Sequence, residues 1–292
     1  APADPGDAQT EKRKMNKPNA AQFEQWNGRV GQKWARLQDK TDLMLNNITD
    51  ALMPFAAAMP GEHVLDIGCG CGTTTFRLQM AVSPNGSVAG VDISAPMLDV
   101  ARARSQAMNA DIAFIEEDAS KYDFQPVFDL VFSRFGVMFF DDPVAAFRNI
   151  RTALSPKGRL AFVCWRAFKE NDWAFVPYVA AQPFLPEQPS ADPHAPGPFA
   201  FADADRLRDI LTKAGFNNIR IEKLDTTSSL GKTPAEAADS TLNIGPVSRA
   251  ANDLPESERA KARDAIEAAF AKHVTQVGVA PKAACWLVSA TR

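Results

Sequence analysis

Several residue types that mark other protein classes are scarce in this sequence. It has four cysteines, three histidines and two tyrosines among 292 residues. Cys69, Cys71, Cys164 and Cys285 are too scattered for a disulfide framework, and one Cys-x-Cys pair is weak evidence for zinc. We therefore interpret the thiols as structural or incidental and predict no metal site.

The chain also lacks a large excess of either charge and a long apolar run. Its formal net charge is -3, with 46% hydrophobic and 23% charged residues. Without excess positive charge we expect no nucleic-acid partner. Pro54 and Pro60 interrupt the longest apolar candidate, Ala51 to Met59, which falls short of the roughly 20 residues that span a bilayer. We expect a cytoplasmic globular protein with no membrane span, and we leave its oligomeric state open.

The first residues have no apolar centre of the kind that a secretory signal has. Residues 1–14 are polar and hold two prolines, so we predict that residues 1–18 form a disordered tail. Met15 is an alternative natural start, and whether residues 1–14 are native is left open.

Short apolar segments alternate with amphipathic ones from about residue 42 onwards. Strands are predicted over 63–67, 87–91, 112–115, 128–132 and 159–165. Strands that alternate with helices at this spacing predict an α/β fold with a doubly wound, mainly parallel sheet. After Trp165 the pattern is interrupted by segments rich in proline and aromatic residues. Further strands are predicted over 218–226 and at the chain end, 285–289.

The most specific local pattern is the glycine-rich turn after the first predicted strand. Asp66-Ile67 leads into Gly68-Cys69-Gly70-Cys71-Gly72, and a helix follows. Glycine lets the backbone approach a ligand closely, but dinucleotide dehydrogenases also place G-x-G-x-x-G between a strand and a helix. Thr73 stands where that pattern has its third glycine. We therefore expect the tail of a zwitterionic ligand here rather than a pyrophosphate.

Two carboxylates follow the next two predicted strands. Asp92 can accept hydrogen bonds from two vicinal ribose hydroxyls, or it can simply cap the helix that begins near Ser94. Asp118 is placed to accept from an adenine amine, or it is a solvated loop acid. The pair indicates an adenosine ligand, NAD included.

With these motifs the chain resembles the class I S-adenosylmethionine (SAM)-dependent methyltransferases, especially small-molecule enzymes such as those of quinone biosynthesis. The resemblance covers about residues 19–165, and it rests on the glycine turn, 90–94 with Met97, 117–119, 128–134 and 154–160. It implies a Rossmann-like sheet of seven strands, the last antiparallel, and SAM as cofactor.

The same resemblance implies a set of cofactor-binding residues. They are Asp66, Gly68, Gly70, Gly72, Asp92, Ile93, Met97, Asp118, Ala119, Ser133 and Arg134. Trp26 and Trp34 look like part of the amino-terminal lid found in part of that family, where an aromatic face would cover the sulfonium. Alternatively, both tryptophans only pack.

We therefore divide the chain into segments by their expected roles. These are a disordered tail (1–18), an N-terminal helical lid (19–60), the SAM-binding core (61–165), a substrate-facing insertion (166–202), a core helix and strand (203–229), a helical cap insertion (230–282) and the last core strand (283–292).

The predicted reaction is methyl transfer to a small molecule by in-line displacement, for which proximity and desolvation lower much of the barrier. The predicted acceptor pocket is aromatic and comprises Phe135, Met138, Phe139, Trp165, Trp173, Phe175 and Tyr178. Catalytic residues stay unassigned, with His194 as a weak candidate base whose setting is equally that of an exposed loop. The alternatives are an NAD-dependent oxidoreductase and a non-catalytic regulatory protein that binds SAM.

Overall fold

The computed structural model describes residues 19–187 and 192–292. The predicted disordered tail therefore lies outside the described residues, as does a short part of the predicted substrate-facing insertion. The helices are α1 (Ala20–Asn27), α2 (Arg29–Arg36), α3 (Gln38–Ala56), α4 (Thr73–Val82), α5 (Ala95–Ala107), α6 (Pro143–Ala153), α7 (Asp172–Ala181), α8 (Ala204–Lys213), α9 (Pro234–Thr241), α10 (Pro246–Ala250) and α11 (Glu256–Phe270). The strands are β1 (His63–Ile67), β2 (Ser87–Asp92), β3 (Ala113–Glu116), β4 (Phe128–Arg134), β5 (Leu154–Trp165), β6 (Asn217–Thr227), β7 (Val274–Thr275), β8 (Gly278–Val279) and β9 (Lys282–Thr291).

One seven-stranded sheet organises the chain, with strand order β3-β2-β1-β4-β5-β9-β6. The pairs from β3 to β5 are parallel, whereas β9 pairs antiparallel with both β5 and β6. This confirms the predicted doubly wound, mainly parallel sheet of seven strands with an antiparallel last strand.

The central strands are apolar because helices cover both faces of the sheet. Val64 and Leu65 of β1 are fully buried, as expected for parallel strands. On α3 the side chains of Leu45, Ile48 and Leu52 recur at helical spacing and are 4%, 0% and 0% exposed. Burying each such side chain contributes roughly 1.5–3 kcal/mol. That apolar face orients α3 across the sheet.

Strand β5 starts earlier than the sequence predicts. The sequence of residues 155–158, Ser-Pro-Lys-Gly, predicts a turn before the strand, but these residues lie within β5. The register with β4 shifts between the pairs Phe128↔Leu154 and Leu130↔Arg159. Proline and glycine are tolerated there because the shift forms an irregularity of the bulge type.

Helices and a small hairpin follow the core in the second half of the chain. The sequence predicts an apolar stripe of Ala262, Ile266, Ala269 and Phe270 on α11. Ala262, Ile266 and Phe270 are 0% exposed, whereas Ala269 is only partly buried. The β7–β8 hairpin lies between α11 and β9. Among the described residues, no helix combines the length and the apolar character that crossing a bilayer requires.

Candidate active site

A deep cleft opens where the parallel strands end. The residues that directly follow β1, β2, β3 and β4 line it, and so does Trp165, the last residue of β5. It lies beside the β1–β4 pair, where the strand order reverses, which is the usual ligand site of an open α/β sheet. The cleft contains about 1330 Å³ of empty space, including its mouth.

The glycine turn forms the floor of the cleft and could not accept side chains. Gly68 and Gly70 have φ of 67° and 53°. A Cβ on Gly68 would lie 2.6 Å from Gly136 Cα, and one on Gly70 would lie 2.7 Å from Met97 Cε. The turn therefore brings bare backbone to the cleft, as a closely bound ligand requires.

Asp92 lines the cleft at the end of β2 and also organises the turn. One carboxylate oxygen accepts from Gly70 N at 2.8 Å, and the other accepts from Ser94 N at 2.9 Å. Burial raises the pKa of Asp92, and these backbone donors counteract that effect. Each oxygen keeps acceptor capacity for a hydroxyl. Asp92 is thus both a backbone cap and a cleft carboxylate, so the two predicted roles are compatible.

Asp118 also lines the cleft, but its carboxylate already accepts hydrogen bonds from the lid residue Asn19 and from neighbouring residues. Asn19 Nδ2 lies 3.1 Å from both carboxylate oxygens, Ser120 N donates to Oδ1 at 2.9 Å, and Lys121 Nζ lies 3.3 Å from Oδ2. A carboxylate accepts about four hydrogen bonds. Asp118 therefore holds the lid as well as bordering the cleft.

Asn19 makes further contacts that hold the beginning of α1. Its side-chain oxygen accepts from Asp141 N at 2.9 Å, its backbone N–H donates to the Asp141 carboxylate, and Nδ2 donates to Ser120 Oγ at 2.8 Å. Asn19 adopts a left-handed φ of 60° and is 5% exposed. The lid is thereby tied to the loops after β3 and β4.

The other end of α1 is tied to the start of α5. Asn27 donates to Ile93 O at 2.7 Å and accepts from Ala95 N at 3.0 Å, and Ser94 Oγ donates to Trp26 O at 2.7 Å. Trp26 and Trp34 both line the cleft, 5.9 Å apart and edge to face. The predicted lid tryptophans therefore face the cleft and also pack on each other.

Three predicted cofactor residues lie behind the wall of the cleft and do not line it. Asp66 is fully buried and accepts hydrogen bonds from Thr74 and Thr75 Oγ1 at 2.7 and 2.8 Å. Burial raises its pKa to about 6. Ser133, also fully buried, donates to Ile67 O at 2.7 Å and accepts from Gly136 N.

The third is Gly72, which faces hydrophobic side chains. A Cβ there would lie 2.9 Å from Phe76 and 3.2 Å from Phe114. Asp66, Ser133 and Gly72 therefore support the glycine turn from the protein interior and do not face the cleft. The remaining predicted cofactor residues, Ile93, Met97, Ala119 and Arg134 among them, do line the cleft.

A charged group that sequence analysis did not identify lies at the inner end of the turn. Asp42 of α3 accepts from Thr73 Oγ1 at 2.7 Å and lies 3.9 Å from a guanidinium nitrogen of Arg134 and of Arg104. Asp42 and Arg134 both line the cleft. Thr73 is the first residue of α4, whose cap position is Gly72, and its hydroxyl is directed at Asp42. The two opposite charges suit a zwitterion.

The cysteines of the glycine turn are present in the lining as neutral thiols. Burial raises the pKa of Cys71 to about 12, and it raises the pKa of Cys69 well above its ordinary value. Nucleophilic cysteines need a lowered pKa. The two thiols therefore serve as small packing groups.

The other half of the cleft is aromatic. Phe135 and Trp165 stack at 4.2 Å with an angle of 11°, and Trp165 contacts Trp173 at 4.7 Å. Met138 and Phe139 also line this half, and Phe139 packs edge to face on Trp26 at 5.3 Å. The aromatic half thus begins beside Gly136 and the glycine turn.

Two residues predicted for the aromatic pocket, and the weak candidate base, lie elsewhere. Phe175 and Tyr178 pack against Phe168 at 5.6 and 5.4 Å and do not line the cleft. His194 is exposed outside the cleft, and its backbone N–H donates to Asp192. Across residues 19–187 and 192–292, no group of three or more His, Cys, Asp or Glu side chains could hold a metal ion.

Several lining residues missed by sequence analysis belong to the predicted lid and cap segments. They are Asn19, Gln22, Thr41, Asp42, Met44 and Ile244. A polar residue facing inwards on an otherwise apolar α3 face was the available signal for Thr41 and Asp42. Asn19 and Ile244 had no local signal, because they reach the cleft only through tertiary contacts.

Known proteins are similar to this chain in sequence. The family described as "Methyltransferase domain" matches residues 64–158. Demethylmenaquinone methyltransferase of Staphylococcus haemolyticus is 30% identical over 172 residues, which are 55% of this chain and 71% of that protein. Another relative, demethylmenaquinone methyltransferase of Staphylococcus aureus, is 26% identical over 218 residues, covering 70% and 89% of the two chains.

A solved structure shares the fold at lower identity. Phosphoethanolamine N-methyltransferase 2 of Haemonchus contortus, in complex with S-adenosyl-L-methionine, superposes with a TM-score of 0.56 and 21% identity. The match covers 92% of this chain and 59% of that one, so this chain spans less than two thirds of that enzyme's length.

Proposed function

The chain belongs to the SAM-dependent methyltransferases, and on that premise we propose that it methylates an apolar small molecule bound in the aromatic half of the cleft. One observation carries this proposal. The wall formed by Phe135, Trp165 and Trp173 is continuous with the glycine turn, since Phe135 directly precedes Gly136, which contacts Gly68.

The residues present fit SAM, whose contribution when bound is an electrophilic methyl group on a sulfonium. The bare backbone of Gly68 and Gly70 admits a closely packed ligand tail. Arg134 and Asp42 would bind the carboxylate and the ammonium of the methionine end. Asp92 would bind the ribose hydroxyls.

The apolar side chains and the loop after β3 would hold the adenine. Ile93 and Met97 would pack on its faces, and Asp118 and Ala119 would border its edge. Asn19 would keep the lid closed over that end, because it shares the Asp118 carboxylate. Trp26 and Trp34 would shield the cleft from water.

The aromatic half acts by positioning the acceptor and excluding water. A stacked pair such as Phe135 and Trp165 favours a planar acceptor, since aromatic rings add about 0.5–1.5 kcal/mol beyond burial. Orientation of the acceptor next to the methyl group and exclusion of water from the cavity then account for much of the rate enhancement of methyl transfer. No side chain is assigned as general base.

We also propose a cytoplasmic protein whose partner is a small molecule and not a nucleic acid. Cys164 and Cys285, in adjacent strands, are free, as are Cys69 and Cys71. Free thiols in neighbouring strands are typical of a reducing compartment. The net charge of -3 gives no electrostatic attraction to phosphate backbones.

The test combines cofactor binding with turnover. Calorimetry should show binding of SAM and S-adenosylhomocysteine and none of NAD. A screen of phenols, quinols, amines, thiols and isoprenoid acceptors with methyl-labelled SAM should give methylated product. Binding without turnover on any acceptor would favour the regulatory alternative, and tight NAD binding would contradict the cofactor assignment.

A matched pair of variants localises the acceptor. Phe135→Leu should lower turnover several-fold while S-adenosylhomocysteine affinity stays within about twofold, because it removes only the acceptor-side stack. Phe175→Leu removes an aromatic ring of the same size outside the cleft and should change neither quantity. Equal effects of the two variants on turnover would contradict an acceptor site on this wall.

A further inference from the structure

The lid helix α1 carries a buried side chain whose amide oxygen has no hydrogen-bond donor. Gln22 is 8% exposed and lines the cleft. Of the buried side-chain atoms without a hydrogen-bond partner in residues 19–187 and 192–292, only Gln22 Oε1 belongs to the cleft lining. Buried polar groups are nearly always hydrogen-bonded, and an exception needs an explanation. Because this side chain borders the cleft, a bound ligand can supply the missing donor.

Both ends of α1 are attached to loops that border the adenine end of the cleft. At its beginning, Asn19 donates to Asp118, in the loop after β3. At its other end, Asn27 donates to Ile93 O, directly after β2. Gln22 lies one turn after Asn19 on the same helix face, about 4.5 Å further along the axis. Gln22 is therefore held over the space between the ends of β2 and β3.

Asp118, the other acceptor at this end of the cleft, has little remaining capacity. Its Oδ1 accepts from Asn19 Nδ2 at 3.1 Å and from Ser120 N at 2.9 Å. Its Oδ2 accepts from Asn19 Nδ2 at 3.1 Å and lies 3.3 Å from Lys121 Nζ. Each carboxylate oxygen accepts about two hydrogen bonds. A ligand donor would have to displace one of these contacts at Asp118, whereas Gln22 Oε1 has none to lose.

The amide of Gln22 is complementary to the edge of adenine. A glutamine amide presents one acceptor oxygen beside two N–H donors. Adenine presents its 6-amino donor beside a ring nitrogen that accepts, and proteins that bind DNA recognise adenine by pairing this edge with Gln or Asn. The terminal torsion of glutamine is broad, so the Gln22 amide can turn to face the base.

We propose that the lid residue Gln22, and not Asp118, recognises the amino group of the bound adenine. Gln22 Oε1 accepts from the 6-amino group, and Nε2 donates to the adjacent ring nitrogen. The inference rests on the proposed function, because it takes the adenine of SAM to lie between Ile93 and Asp118. Asp118 then acts on the base indirectly, since it holds Asn19 and with it the beginning of α1. Binding of the base is thereby coupled to closure of the lid.

The experiment compares two ligands that differ only in the 6-amino group. They are S-adenosylhomocysteine and its analogue with purine in place of adenine, each titrated by calorimetry into the wild-type protein. The measured quantity is the ratio of the two dissociation constants. The analogue should bind roughly 5- to 30-fold more weakly, because it leaves Gln22 Oε1 buried without a donor.

Variants of Gln22 show whether this preference depends on the amide. Gln22→Met removes the amide and keeps the length of the side chain, and Gln22→Leu is a second apolar replacement in case the first does not fold. In both, the two ligands should bind within about twofold of each other. Gln25→Met makes the same change on the same helix, at a partly buried position outside the lining, and should keep the wild-type ratio. Urea unfolding checks that each variant folds.

The ratio separates recognition of the base from a structural role of Gln22. A substitution that only loosens the lid weakens both ligands alike and leaves the ratio unchanged. The inference is overturned if the wild type binds both ligands equally, or if the folded Gln22 variants keep the wild-type ratio.

These outcomes differ from failure of the proposed function. In both of them S-adenosylhomocysteine still binds, so the proposed cofactor site stands. A wild-type protein that does not bind S-adenosylhomocysteine would contradict the proposed function and this inference together. A ratio that depends on Gln22, in a protein that methylates no acceptor, would support the inference and contradict the proposed methylation.

Discussion

Replacing Asn19 with glycine should open the lid over the adenine end of the cleft. The Asn19 side chain donates to the Asp118 carboxylate and to Ser120 Oγ, and it accepts from Asp141 N. A hydrogen bond to a charged group contributes about 1.5–3 kcal/mol and a neutral one about 0.5–1.5 kcal/mol. The three hydrogen bonds share one side chain, and water replaces them in part. We therefore expect the free energy of lid closure to become less favourable by about 2–4 kcal/mol.

Amide hydrogen exchange in the presence of S-adenosylhomocysteine measures this change in the free energy of lid closure directly. A change of 1.4 kcal/mol is tenfold, so protection of the α1 and α2 amides should fall roughly 30- to 700-fold. Glycine keeps the left-handed backbone of position 19, so the variant isolates the side chain. Asn109, also left-handed with φ 47° and exposed, supplies the control substitution Asn109→Gly. Unchanged protection of α1 in Asn19→Gly would refute the reasoning.

Three further predictions concern the glycine turn and its supports. Asp92→Asn should weaken S-adenosylhomocysteine binding by about 1.5–3 kcal/mol in calorimetry, since it removes charge-assisted hydrogen bonds; wild-type affinity would mean that Asp92 only holds backbone amides. Gly70→Ala should lower the free energy of unfolding by at least about 1–2 kcal/mol, because φ is +53° and the new Cβ meets Met97. Gly197→Ala, where the nearest atom is 3.9 Å away, is the control, and equal urea midpoints would contradict the argument. Burial raises the pKa of Asp66 from 3.8 to about 6, so the unfolded chain loses this proton first. The contribution of protonated Asp66 to the free energy of unfolding is fully present below the pKa that Asp66 has in the unfolded chain. This contribution, about 3 kcal/mol, is lost as the pH rises through the pKa that Asp66 has in the folded protein. Asp66→Asn should lack this part of the pH dependence of unfolding, and matching wild-type and variant profiles between about pH 4 and pH 7 would disprove it.

The fold was predictable because its signals are local. The strands from β1 to β4 begin within one residue of their predicted starts, since short apolar segments between turns, alternating with helices, are typical of parallel strands covered on both faces. Residues 155–158 were misinterpreted as a turn for the same reason. Proline and glycine have a local meaning, and the pairing with β4 that turns them into a bulge lies outside the local window.

Site residues divide in a similar way. Gly68, Gly70 and Asp92 were predictable, because they follow parallel strands whose ends meet at one edge of the sheet. The side chains of Asp66 and Ser133 belong to strands buried on both faces, where alternation cannot indicate which side chain meets the ligand. Their place behind the wall could be read only from the structure.

The sequence of residues 61–165 by itself predicted a parallel sheet with a ligand cleft at the carboxyl ends of its strands, because hydrophobic periodicity, turn residues and acidic residues at strand ends all occur within short stretches of chain. Tertiary structure alone brought Asn19 to Asp118 across 99 residues, set Asp42 beside Arg134, and placed Met44, Trp173 and Ile244 together in the lining of the cleft. These contacts join elements far apart in the chain, and their geometry depends on how the packed helices close over the sheet, which no local pattern encodes.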